Sequence, residues 1–155
     1  AYIIFSVLKP LYEVVTGRFP GALPFHHTKS LMGHVSYCKN SVNGNYIHIH
    51  IEKEFFNLVI FDNDILKFCN SFSYRNYNDI LYYVLNTFKN LVIKQEETIH
   101  LSGYTEKYDD LSSAFSIYVR NLKFSDPSGN FTFSYVFNDT ILHRFLNLFN
   151  AVNCE

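Results

Sequence analysis

Residues 46–93 decide the fold of this chain, because they hold four consecutive periodic segments. The segments are YIHIHIE at 46–52, FFNLVIFDN at 55–63, DILKFCNSFSY at 64–74 and NYNDILYYVLNTFKNLVI at 76–93. The first three have strand lengths and short polar turns between them, so they predict three strands in succession. The fourth has apolar residues at helical spacing, with Asn76 or Asn78 placed to cap the helix. Its apolar positions are Ile80, Tyr83, Val84, Phe88 and Leu91.

Further elements are predicted on both sides of this stretch. Before it we expect a strand at 2–7, a helix from Leu11 ended by Gly17 and Pro20, an extended segment at 22–26, a helix at 28–37 capped by Thr28 or Ser30, and a linker at 40–45. After it we expect a strand at 98–101, a helix at 109–119, strands at 122–125 and 131–137, and a helix at 140–152. From residue 46 the order is β-β-β-α-β-α-β-α with one extra short strand. This order is typical of the α/β ribonuclease-H-like unit, a mixed sheet with helices on its faces.

Composition excludes several classes of protein. The 155 residues are 48% hydrophobic and 17% charged, which indicates an ordered globular domain. A net charge of -1 offers no basic surface for nucleic acid, and no apolar run reaches the roughly 18 residues that cross a bilayer. Three cysteines, an odd number without CxxC spacing, favour a reduced, cytoplasmic compartment.

Three strings carry a family resemblance: FPGALPFHH at 19–27, LKFCNSFSYRNYNDILYYVL at 66–85 and IHLSG at 99–103. They resemble the DUF3822 proteins, an uncharacterised family from Bacteroidetes that looks like a branch of the actin-like ATPase superfamily. Family members are longer, so the resemblance implies that residues 1–38 are the remnant of a first ribonuclease-H-like half. Residues 46–155 would be a complete second half. Truncation, processing or missing upstream residues would each explain a chain that begins inside a domain.

The residues at the family's nucleotide-binding turns do not suit a nucleotide. Phosphate binding needs glycines where backbone amides approach the ligand, and neighbouring carboxylates repel phosphate. The turn after the first strand of the 46–93 stretch and the turn after the strand at 98–101 are the matching positions. They carry Glu52, Lys53 and Glu54, and Ser102, Gly103 and Tyr104. We therefore expect a degenerate cleft, with no cofactor and no catalytic residue in this chain.

Histidines, carboxylates and cysteines give no complete metal or catalytic set. A ribonuclease-H-type nuclease needs carboxylates along the first strand, where this chain has isoleucines on one face and His48 and His50 on the other. Two imidazoles could start a zinc site, but spacing fixes no third ligand, so we expect a half-exposed face packed against aromatics. His26 and His27 are expected at a strand end, pointing to opposite faces. Cys69 is expected as a core residue of a central strand.

Aromatic residues at the start of the predicted helix form a candidate interaction surface. Its members are Tyr74, Arg75, Tyr77 and Tyr82. Core and cap packing is the alternative explanation, but tyrosine also contributes contact area at low entropic cost. We expect a non-catalytic actin-like scaffold or protein-interaction module, with a protein partner that could be a second copy, no nucleic acid and no direct membrane insertion. The alternatives are a nucleotide-binding ATPase whose phosphate loops lie in a missing N-terminal half, and a nucleic-acid-associated protein.

Overall fold

A mixed five-stranded sheet lies at the centre of the molecule. The computed structural model describes residues 3–39, 44–107, 109–127 and 131–153. The strands are β1 (Asn45–Ile51), β2 (Phe55–Asp62), β3 (Ile65–Ser73), β4 (Thr98–Gly103) and β5 (Asn121–Phe124), in the spatial order β3-β2-β1-β4-β5. β1, β2 and β3 pair antiparallel, while β4 pairs parallel to β1 and β5 parallel to β4. The predicted three-strand succession and the predicted fold class are confirmed.

The structure describes five α-helices, and all but the first pack on the two faces of this sheet. They are α1 (Lys9–Arg18), α2 (His27–Lys39), α3 (Tyr77–Leu91), α4 (Asp110–Tyr118) and α5 (Leu146–Asn150). Of the two predicted caps of the third helix, Asn76 is the one observed: its side chain accepts from the Asn78 amide, while Asp79 accepts from the Asn76 amide. This reciprocal capping box starts α3, and Val92 in the left-handed conformation ends it.

The two faces of the sheet have different chemistry. On one face, Ile47, Ile49 and Ile51 of β1 join apolar residues of β2, α3 and α4 in the larger core. On the other face, Tyr46, Val59 and Phe61 pack with α2 and α5. The second core also contains Leu31, Val35 and Leu146. Because side chains alternate along a strand, the same β1 places His48 and His50 on this second face.

Three predicted extended segments form no strand. Residues 3–8 and 22–26 pair with no strand, and an apolar run is not a strand without a neighbouring strand to bond. Residues 131–134 are irregular, and Tyr135–Phe137 is a 3₁₀ turn. Here the alternating aromatics pack around Phe149 of α5 instead of joining the sheet. The extra short strand is β5, which takes the fifth place in the sheet.

The predicted C-terminal helix is also wrong in extent. In place of one helix at 140–152, α5 is flanked by 3₁₀ turns at Leu142–Phe145 and Ala151–Asn153. Of the predicted linker, residues 40–43 lie outside the described residues, as does Cys154.

Several side chains lie in different surroundings from those expected. Cys69 is exposed, because β3 is an edge strand and not a central one. His48 and His50 are fully buried, because α2 and α5 cover their face. His26 and His27 are at the start of α2 with ring centroids 4.1 Å apart. The expected cap at Thr28 or Ser30 is wrong, since the Thr28 amide donates to the imidazole Nδ1 of His26.

Candidate functional site

The candidate site is the cleft at the carboxyl ends of β1 and β4, next to the first turns of α3 and α4. In open α/β sheets this end of the parallel strands is where ligands bind. A cavity of about 260 Å³ opens here. It is lined by Ile51, Tyr74, Tyr77, Ile80, Tyr104, Asp109, Asp110 and Leu111. The lining residues are therefore aromatic, aliphatic and acidic, with no glycine among them.

The turn between β1 and β2 is closed by the protein's own groups. The Glu52 amide donates to the Phe55 carbonyl at 2.8 Å, and the Tyr74 hydroxyl donates to the Glu52 carbonyl at 2.6 Å. The Tyr74 amide donates to the carbonyl of Glu54 at 3.1 Å. Burial, followed by the nearby Glu52 charge, raises the pKa of the Tyr74 phenol, so this hydroxyl keeps its proton for the bond. These hydrogen bonds connect the turn to Tyr74, which lies between β3 and α3.

The turn after β4 depends on a close approach between two backbones. Gly103 has a φ of +87°, and a Cβ there would lie 1.9 Å from the Ile51 carbonyl oxygen. The next amide, that of Tyr104, donates to the same oxygen at 2.7 Å. This packing against β1 accounts for the glycine without a nucleotide.

Tyr104 is held by cations of the chain itself. The Lys53 ammonium lies 5.7 Å from its ring centroid and the Arg144 guanidinium 5.4 Å. Arg144 also donates to the Glu106 carboxylate at 2.6 Å, and the His143 Nε2 donates to the Thr105 carbonyl at 2.8 Å. The segment at 142–145 therefore covers one side of the cleft, and its positive charge is already paired.

Asp109 caps α4 at the edge of the cavity. Its carboxylate accepts from the amides of Ser112 and Glu106 and from the Thr105 hydroxyl. Burial alone would raise the pKa of Asp109, but these hydrogen bonds together lower the pKa below its ordinary value. A fixed negative charge at this position opposes the binding of a phosphate.

The four residues of the predicted interaction surface lie in and just before α3. Tyr74 and Arg75 line a second cavity of about 320 Å³ together with Asp79 and Tyr83. Tyr74 also lines the cleft, together with Tyr77. Tyr82 lies farther along α3, with its ring edge-on to Tyr83 at 5.4 Å. Tyr74 therefore borders both cavities, and a shared interaction surface stays a prediction.

A buried layer of polar side chains lies behind the cleft, on the α2 face of the sheet. β1 and β4 pair in parallel, so His48 lies beside His100 and His50 beside Ser102. The Ser102 hydroxyl is 2.8 Å from His48 Nε2 and 2.7 Å from His50 Nδ1, and His50 Nε2 is 3.1 Å from a Glu52 carboxylate oxygen. The side chains of His48, Ser102, His50 and Glu52 form one hydrogen-bonded chain from the interior to the edge of the cleft.

The carboxylate sets the direction of every bond in this chain. Glu52 accepts only, because the hydrogen bond from His50 lowers its pKa and keeps it ionised. In the neutral tautomer that donates from Nε2 to Glu52, His50 accepts the Ser102 proton at Nδ1. Ser102 in turn accepts from His48 Nε2, and His48 Nδ1 is left without a hydrogen-bond partner among the described residues.

Sequence reasoning found two members of this layer and missed the others. His48 and His50 follow from strand alternation, but Ser102, His100 and His34 of α2 come from distant parts of the chain. The repeated H-x-[HS] spacing in IHIH and IHLS was the available signal, because it predicts matched faces on two strands. Within the described ranges, no three His, Cys, Asp or Glu side chains are placed to hold a metal ion.

Comparisons with known proteins support the fold. Residues 1–122 match a family described as protein of unknown function (DUF3822). A protein with an actin-like ATPase fold and unknown function, from Bacteroides thetaiotaomicron, is 19% identical with a TM-score of 0.79, over 96% of this chain and 52% of that one. The PilM-PilN type IV pilus biogenesis complex contains a chain that is 12% identical with a TM-score of 0.57, over 87% of this chain and 53% of that one. No curated protein sequence matches.

These likenesses show that the fold is that of actin-like ATPases, as the sequence predicted. The chain spans about half the length of both structures. In the part of the chain that the structure describes, every helix is too short or too polar to cross a bilayer.

Proposed function

Because the chain belongs to the DUF3822 family, whose function is unknown, we propose a role from its own surface: a non-catalytic, cytoplasmic protein-binding module of the actin-like fold. The observation that carries this proposal is the apolar surface of residues 3–25, which we call the N-terminal apolar segment. Its α1 has no buried residue, although much of its sequence is apolar. Its exposed large hydrophobic residues are Ile3, Ile4, Phe5, Val7, Leu8, Leu11, Tyr12, Val14, Val15, Phe19, Leu23 and Phe25.

Such a surface is costly in water. Burying one large aliphatic side chain is worth about 1.5–3 kcal/mol, so a partner that covered several of these would bind with substantial free energy. Contiguous apolar surface of this kind marks interaction sites in soluble proteins. A protein is therefore the class of partner that best fits the N-terminal apolar segment.

The length of the structural relatives supports one candidate partner. Each is about twice as long as the part matched here, so we propose that the N-terminal apolar segment packs against the rest of a first ribonuclease-H-like half. α2 packs onto the sheet, whereas α1 does not. The solved pilus complex contains an actin-like neighbour assembled with another protein, which supports an assembly role by analogy alone.

The residues of the cleft support the proposed lack of catalysis. A phosphate group there would meet Asp109, Asp110 and the turn with Glu52 and Glu54, and the space at Gly103 is filled by the backbone of Ile51. The cations that could offset this negative charge, Lys53 and Arg144, already contact the Tyr104 ring.

Site-specific photo-crosslinking in the full-length protein would test the proposal. A photoreactive residue at Val14 should crosslink in high yield to the first half or to a partner protein. The matched control is Ile117 of α4, which is also apolar and is 77% exposed, against 66% for Val14. Equal yields at the two positions, or no crosslink at Val14, would contradict a partner surface at α1.

A nucleotide-binding ATPase is the second candidate, and the open cavity at the end of β1 and β4 is the observation that favours it. Thermal unfolding of the full-length protein with and without Mg²⁺-ATP separates the two. We expect no saturable rise in Tm. A saturable rise that is lost in a Tyr104→Ala variant would show that this cleft binds nucleotide and would favour the ATPase over the protein-binding module.

A further inference from the structure

Four imidazoles lie together between the sheet and α2. His48 and His50 are on β1, His100 is on β4 and His34 is on α2; His34 and His48 contact edge-on with ring centroids 5.5 Å apart. His34, His48 and His50 are at most 1% exposed. The Tyr46 ring stacks on His100 at 4.5 Å. We call these four imidazole rings the histidine layer.

The hydrogen bonds of the histidine layer limit how many protons its rings can take up. With one proton on each ring, the chain from Glu52 to His48 is satisfied at every bond. If His50 carries a proton on both nitrogens, Ser102 can donate only to His48 Nε2, which requires the His48 proton to be on Nδ1. If His48 also carries a proton on both nitrogens, then both rings donate to the Ser102 hydroxyl oxygen. The hydroxyl proton then has no acceptor within this chain of hydrogen bonds.

The charged and titratable groups around the histidine layer could offset little of the positive charge on protonated rings. On the α2 side these are Cys38, 3.4 Å from His34 Nε2, and His27, close to Glu52. Lys123 of β5 and Asp126, which follows β5, line one cavity with His34 and His100. The charges of Lys123 and Asp126 have opposite signs. β2 contributes Asn57, Val59 and Phe61 to this face, and α5 contributes Leu146 and Asn150, all of which are uncharged. Glu52 bonds a ring of the layer through its carboxylate.

We propose that the histidine layer is an acid-sensitive latch: it holds α2 on the sheet when its rings are neutral and releases α2 when they take up protons. The inference is independent of the proposed function, because it concerns only how this chain is held together. Release would uncover the apolar residues of the second core, including Val59 and Phe61.

The titration of the rings agrees with this geometry. Burial, followed by the proximity of His100 and His50, lowers the pKa of His34 from 6.5 to about 4. Burial and then Lys123 lower the pKa of His100 to about 4, and burial lowers that of His48 well below 6.5. Released rings bind protons more tightly than packed ones. The stabilisation is therefore complete above pH 6.5 and is lost as pH falls toward about 4.

α2 is the element that contributes a ring to the layer without being a strand of the sheet. It contributes His34 to the layer, whereas the β1–β4 pairing is secured by a ladder of backbone hydrogen bonds. The opposite face of the sheet has a larger core with α3 and α4, and the buried polar residues of these two helices, Thr87 and Ser112, carry no titratable group near neutral pH. Acid therefore acts on one face of the sheet.

Hydrogen exchange at several pH values, corrected for the intrinsic exchange rate, would test the latch. Between pH 6.5 and 4 we expect protection in peptides covering α2 to fall at least tenfold, while peptides covering β2 and α3 stay protected. Binding of a hydrophobic dye should rise over the same range. Protection of α2 that persists at pH 4, or simultaneous loss in α2, β2 and α3, would overturn the proposal.

Two variants of His34 and one control variant test whether the His34 ring causes the acid sensitivity. His34→Gln keeps a hydrogen-bonding side chain without the titration, so the acid loss of α2 protection should shrink severalfold. His34→Leu serves the same purpose if the glutamine variant does not fold. His143→Gln, in which a histidine outside the layer is replaced, should keep the wild-type profile. An unchanged profile in both His34 variants would refute a role for this ring.

Discussion

At the scale of single residues, Gly103 is tightly constrained by its surroundings. It combines a positive φ with an approach to Ile51 that leaves no space for a side chain. The same Ile51 oxygen accepts from Tyr104, so the position joins β1, β4 and the edge of the cleft through one carbonyl. A side chain at 103 would have to separate two central strands.

We therefore expect Gly103→Ala to lower the free energy of unfolding by about 3 kcal/mol, from left-handed strain together with the clash. Urea denaturation followed by circular dichroism would measure it. Gly33→Ala is the matched control, since Gly33 lies in α2 and a Cβ there would have no other atom within 4 Å. It should be neutral or stabilising by roughly 0.5–1 kcal/mol. Equal effects of the two changes would contradict this account.

At the scale of elements, α3 shows how much local signals can determine. Its amphipathic spacing, its Asn76 cap and the three preceding strands were all predictable, because each depends on residues a few positions apart. Local signals could not show that the strand predicted at 131–137 is wrong. FTFSYVF has the alternation of a strand, and only contacts with α5 show that its rings pack elsewhere.

The capping box of α3 can be tested by substitution. Asn76→Ala should lower the free energy of unfolding by about 1 kcal/mol, because it removes the acceptor for the Asn78 amide. Asn78→Ala changes an exposed residue in the same turn and should have little effect. Thermal unfolding of both variants would measure the difference. A larger loss in Asn78→Ala would mean that the cap does not depend on the Asn76 side chain.

At the scale of the whole molecule, the sheet separates two cores of different composition. The buried histidines His34, His48 and His50 lie on the face toward α2 and α5, while the buried polar residues of α3 and α4 are Thr87 and Ser112. The site could be predicted only in part, because His34, His100 and Ser102 reach His48 across more than ten residues of chain. The residue types at the turns of Glu52 and Gly103 can be read without such long-range information, and a degenerate nucleotide cleft there stays a prediction.

The helices α1 and α2 should respond differently to substitution. Leu11→Lys with Val14→Lys changes two exposed residues of α1, so stability should stay within about 0.5 kcal/mol while association with a partner weakens. Leu31→Ala in α2 removes a fully buried side chain and should cost about 3 kcal/mol. Urea denaturation and sedimentation velocity would measure the two properties. A double α1 variant as unstable as Leu31→Ala would show that α1 belongs to the core.

The alternation of isoleucine and histidine along β1 also limits how the strands can align. Moving β1 by one residue would turn every side chain to the opposite face. Ile47 and Ile49 would then displace the rings beneath α2, and two imidazoles would enter the apolar core under α3. Such a slip would also separate Gly103 from Ile51, the pair at the end of the β1–β4 ladder. The chemical contrast between the two faces therefore allows β1 a single register.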